Sequence, residues 1–140
     1  MQPFLCLITL ILAAPALPGA DAVECPPKIE VSQRLAVQPS GWSVMAGEVP
    51  HQLAGMTFFD GNPRDKASLA PDTQTAANGK TVASWTFAAS GGPIWVACRY
   101  AATDVLLTRQ LPRSIRACSI TYATRETIDG LPVIEKVDCK

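Results

Sequence analysis

Short runs of alternating apolar and polar residues recur along the chain, and no segment sustains the 3.6-residue apolar period of a convincing helix. Ile29 to Leu35 alternates and stops at Pro39-Ser40-Gly41. Leu53 to Phe59 is a second run, closed by the turn composition Asp60-Gly61-Asn62-Pro63. Residues 64–80 are polar and Ala-rich, with Pro71 and Asn78-Gly79, and read as a long loop with one short helical turn over Asp65 to Leu69. From Thr81 onward, five runs rich in β-branched and aromatic residues follow: Thr81–Ala88, Pro93–Tyr100, Val105–Leu111, Ala117–Thr124 and Val133–Cys139. Turn signals separate them, at Ser90-Gly91-Gly92, Ala101 to Asp104, Pro112 to Arg116 and Glu126 to Pro132. This pattern predicts an all-β fold, a single antiparallel domain built as a meander, sandwich or small barrel.

Parity fixes faces as well as elements. A hairpin turning at Gly91-Gly92 sets Trp85 opposite Cys98, and one turning at Ala102-Thr103 sets Cys98 opposite Leu107. Both turns send Trp85, Phe87, Ile94, Val96, Cys98, Tyr100, Val105, Leu107 and Leu111 to one face. A one-residue slip would invert that set, so this face is expected to be the core. Trp95, Arg99 and Leu106 share the opposite, mixed face, as on a solvated or partner-binding surface.

The first residues read as an address. Phe4 to Ala14 is an apolar run, too short for a membrane-spanning helix of about 20 residues. With Ala20-Asp21-Ala22 it forms a secretory signal peptide over residues 1–22, although no Lys or Arg precedes the apolar run. Cys6 follows Leu5 and Cys25 follows Glu24, neither the small residue that precedes a lipid-modified cysteine. The expected product is a single β-rich domain, residues 23–140, in the periplasm or secreted, with no transmembrane segment after cleavage.

Losing the leader changes the chemistry of the rest. The full chain balances 12 basic against 12 acidic residues, and removal of Asp21 leaves one net positive charge. That is too little to attract phosphate in bulk, so no nucleic-acid partner is expected. Cys25, Cys98, Cys118 and Cys139 remain, an even number in an exported chain, which implies two disulfides. Their spacing lacks the paired ligands of a zinc site and the chain has one histidine, so no metal and no cofactor is expected. In a flat meander Cys98 and Cys118 lie two strands apart, about 10 Å, beyond disulfide reach. Cys118–Cys139 with Cys25–Cys98 is therefore favoured. The alternative, Cys98–Cys118 with Cys25–Cys139, requires the sheet to fold over.

Catalytic motifs are mostly absent: no G-x-S-x-G, P-loop, H-E-x-x-H or G-x-G-x-x-G occurs. His51 would need a nucleophile and an orienting carboxylate to act as a base. Between Arg99 and Arg125 five arginines (99, 109, 113, 116, 125) face one acid, Asp104. Arginine suits carboxylate and phosphate recognition, so Trp95, Arg99 and Leu106 form the candidate binding site for an anionic ligand or an envelope protein.

The string Cys25-Pro26, Gly41-Trp42, His51-x-Leu53-x-Gly55, Phe58-Phe59-Asp60-Gly61-x-Pro63, Ala67-Ser68-Leu69-x-Pro71-Asp72, Trp85, Ile94-Trp95-x-x-Cys98-Arg99-Tyr100 and Leu111-Pro112 spans the mature chain. It resembles a family of small, uncharacterised exported (periplasmic) proteins of Gram-negative bacteria. The resemblance implies an exported bacterial protein and brings no catalytic residues with it. The reading that follows is a small envelope binding or inhibitory module, such as an envelope-stress or toxin-neutralising protein. A small envelope hydrolase using His51 with Asp60 or Asp72 is the alternative, and a structural subunit of an envelope assembly is the third.

Overall fold

Residues 23–45, 47 and 50–140 are described by the computed structural model, so the expected signal peptide lies outside the described residues. Among the described residues nine strands build two antiparallel sheets, and the all-β expectation holds as a two-sheet sandwich. The first sheet contains β1 (Lys28–Ile29), β2 (His51–Asp60), β3 (Ser68–Leu69), β6 (Ile94–Tyr100) and β7 (Leu106–Gln110). Its order is β1-β2-β6-β7, with β3 also paired to β2. The second sheet runs β4-β5-β8-β9, from β4 (Thr73–Ala77), β5 (Lys80–Thr86), β8 (Ala117–Ile128) and β9 (Leu131–Cys139).

Alternation in each strand delivers one row of side chains to the space between the sheets. Met56 and Phe58 come from β2, Val96, Cys98 and Tyr100 from β6, Ala83 and Trp85 from β5, and Cys118 and Ile120 from β8. The Phe58 ring meets Trp85 and Phe87 edge-on, at centroid distances of 5.0 and 5.4 Å, and so joins the two sheets. Buried polar atoms find partners. Trp85 Nε1 donates to the Leu69 carbonyl at 3.1 Å, and the Tyr100 hydroxyl donates to the Pro26 carbonyl at 3.0 Å.

Both favoured disulfides form. Cys118 and Cys139 face each other across the β8–β9 hairpin, with Cα atoms 4.1 Å apart. Cys25–Cys98 ties the N-terminal segment to β6 across 73 residues of sequence.

Four element assignments need correction. The Gly91-Gly92 segment does not make a β5–β6 hairpin; it carries the chain from one sheet to the other. Its ends are pinned to different sheets, since the Phe87 amide donates to the Arg116 carbonyl while the Pro93 carbonyl accepts from Gly61. Trp85 accordingly pairs with Cys118, and Cys98 with Met56. The Cys98–Leu107 register of the next hairpin stands. The run from Ile29 to Leu35 is strand only at Lys28–Ile29, because beyond it Gln33 donates to the Ala102 carbonyl and the chain leaves the sheet. The expected loop at 64–80 holds β3 and β4, whose residues are all exposed in β4, and the helical turn is a 3-10 turn earlier, at Pro63–Asp65. Finally, β8 and β9 run on to a two-residue turn at Asp129-Gly130, both with positive φ (53° and 75°), as a type I′ hairpin requires.

Candidate functional site

The outer face of the first sheet is built in rungs. Gly55, Arg99 and Leu106 form one, Thr57, Ala97 and Thr108 the next, and Phe59, Trp95 and Gln110 the third. The sheet therefore brings Arg99 and Leu106 side by side. It places half-buried Trp95 on the same face, four residues along β6 or about 13 Å away. Ala97 between them is buried.

Arg99 has a partner that strand parity could not supply. Its Nη2 lies 3.6 Å from Asp129 Oδ2, in the β8–β9 turn of the opposite sheet. The same hairpin tip sets Leu131 over Gly55, where an added Cβ would come within 3.1 Å of Leu131 Cδ1. Glycine at 55 thus makes room for the tip. Both side chains of the ion pair are about half exposed, so the pair contributes little to stability and can exchange partners.

His51 is not assembled into a catalytic centre. It is buried at the start of β2, where its ring Nδ1 lies 2.7 Å from the Ala101 carbonyl and donates to it, and its Nε2 faces the Gln33 amide nitrogen at 3.5 Å. Asp60 ends the same strand, about 30 Å away at strand rise. Asp72 accepts from the Thr86 amide at 2.6 Å in the second sheet. An apolar cleft of about 320 Å³ beside β2, floored by Met56, Ala83 and Trp85, is lined by no charged side chain.

One exposed surface lies outside the strand pattern of the sequence. Residues 30–50, between β1 and β2, hold no strand or helix among the described residues, yet Leu35, Val37, Trp42, Val44 and Met45 are all exposed. Val37 is 80%, Trp42 73% and Met45 95% exposed. Non-periodic apolar residues with a single charge, Arg34, between residues 31 and 45 were the available signal.

A family described as the type VI secretion system Tli immunity protein matches residues 47–140, which includes β2 to β9. The chain belongs to that family. A relative from Azospirillum brasilense, an uncharacterised 16.3 kDa protein in the trpG 5′ region, is 34% identical over 128 residues, covering 86% of this chain and 85% of its own length. No solved structure matches. Membership in the immunity family fits a small inhibitory binding module whose partner is a protein. Among the described residues no helix is long and apolar enough to cross a membrane.

Proposed function

We propose that this protein is a periplasmic immunity protein that binds a type VI effector and blocks its action on the cell that carries both. The family match over residues 47–140 carries this reading. The two disulfides support an oxidising compartment, and the apolar run ending at Ala20-Asp21-Ala22 supports export with cleavage after Ala22. Neutralisation by occupancy needs a rigid surface and no chemistry of its own, which suits a cross-linked sandwich.

The contact surface in this reading is the outer face at Trp95, Arg99 and Leu106. Arg99 exchanges Asp129 for a carboxylate of the effector, and Leu106 and Trp95 supply apolar contact beside it. Aromatic and arginine side chains of this kind dominate binding energy at interfaces. Each type VI effector of the source genome, exported to the periplasm of a test strain, should stop growth, and co-expression of this chain should restore growth for its cognate effector. Arg99→Ala should weaken binding to that effector by about tenfold or more, equivalent to 1.4 kcal/mol, and leave the melting midpoint nearly unchanged. Failure of the chain to rescue growth from any effector would refute the reading.

A further inference from the structure

We infer that the β1–β2 loop, residues 33–45, together with Leu106 at the start of β7, is the docking element that enters an apolar cleft on the effector; this rests on the immunity reading above.

Structureless connections of this length are uncommon in compact domains, and those that persist are usually functional. This loop spends its length on exposed apolar side chains. Leu35, Val37, Trp42, Val44 and Met45 are exposed there, and Val105, just before β7, and Leu106, its first residue, are exposed beside them, while Leu107 at 37% points to the other face, opposite Cys98. Outside these two segments the large exposed hydrophobics among the described residues are Val82 and Leu131, both at the margin of exposure at 36%. The two apolar segments are tied together, because Gln33 Nε2 donates to the Ala102 carbonyl in the β6–β7 turn at 3.2 Å. His51 braces the same junction through the Ala101 carbonyl at 2.7 Å.

The tip has a defined shape. Gly41 takes a positive φ of 81°, the Trp42 amide donates to the Pro39 carbonyl, and Gln38 Nε2 donates to the Trp42 carbonyl at 2.8 Å. Trp42 therefore projects from a closed turn. The turn fixes the backbone beneath a large apolar ring, so less backbone ordering is needed on binding, which favours it as an anchor.

Charge points to a protein cleft as the occupant. Segments that sit on anionic lipid rely on clustered Lys and Arg, and residues 31–45 carry Arg34 alone. Family membership makes a protein the expected partner, and the tie from Gln33 to Ala102 makes the loop continuous with the surface at Leu106 and Arg99.

The test uses the full chain and the effector whose toxicity the wild type relieves. Trp42→Ala and the Val37→Ala/Met45→Ala double variant should each bind that effector at least tenfold more weakly by calorimetry and lose growth protection. Melting midpoints should be unchanged, because these side chains are solvated in the free protein. Val82→Ala, on the second sheet, should bind as wild type. Wild-type affinity in both loop variants would overturn the inference. So would unchanged effector binding combined with Trp42-dependent flotation on phosphatidylethanolamine/phosphatidylglycerol vesicles, which would assign the loop to membrane. Trp42-dependent dimerisation in light scattering with unchanged effector binding would assign it to a second copy and also overturn it. If the wild type relieves no effector, the immunity reading fails and the loop assignment fails with it; loss confined to the loop variants separates the two.

Discussion

Replacing Trp85 probes the joint between the sheets directly. The ring is 7% exposed, meets Phe58 edge-on at 5.0 Å, and its Nε1 donates to the Leu69 carbonyl at 3.1 Å. Trp85→Ala removes the ring, the aromatic contact and the hydrogen bond together, and should cost about 3–5 kcal/mol. That is a large share of the roughly 5–15 kcal/mol available to a domain. Trp85→Phe keeps most of the ring and loses the donor to Leu69, so it should cost about 1–2 kcal/mol. Trp95→Ala empties a partly exposed site on the outer face and should cost about 1–2.5 kcal/mol, below the value for a fully buried aromatic side chain. Guanidinium titrations followed by far-UV circular dichroism read all three from midpoints at constant slope. Equal losses for Trp85→Ala and Trp95→Ala would refute the assignment of inner and outer faces.

Further outcomes follow from the same contacts. Non-reducing peptide maps should link Cys25 to Cys98 and Cys118 to Cys139. Removing the first bridge should destabilise by about 1 kcal/mol more than removing the second, because it closes 73 residues against 21. Gly55→Val should cost about 1–3 kcal/mol in the same titrations, since Leu131 stands 3.1 Å from the new Cβ, whereas Asp129→Ala should change stability by less than about 1 kcal/mol. Burial raises the pKa of Tyr100 and of Tyr122 above 10.0, so the folded state disfavours phenolate. The stability this represents is complete below pH 10 and is lost as pH rises through the folded pKa values; a melting midpoint flat across pH 9–12 would contradict it.

Faces were easier to read than neighbours. Trp85, Phe87, Val96, Cys98 and Tyr100 do share one core, as parity requires, but they reach it from two sheets. Alternation tells a residue which way to point; it is silent on which strand lies beside it, so the β5–β6 turn was mistaken for a hairpin. Cys118 and Cys139 were legible because the last hairpin alone could bring them face to face. The strand β4 was missed because every residue of Thr73–Ala77 is exposed and leaves no apolar rhythm, although Asn78-Gly79 marked its turn with positive φ at both positions. Of the candidate site, Arg99 and Leu106 were correctly placed together. Asp129 was not foreseen, since its approach depends on how far the β8–β9 hairpin reaches across to the other sheet. The exposed β1–β2 loop escaped notice because apolar residues in sequence read as core, and only the fold shows which of them were left in water.

Growth protection tests the central claim most directly. With each type VI effector of the source genome exported in turn to the periplasm of a sensitive strain, co-expression of this chain should restore growth against its cognate effector, and the purified pair should form a stable complex. No rescue against any effector, with the chain present in the periplasm and both disulfides formed, would contradict the account.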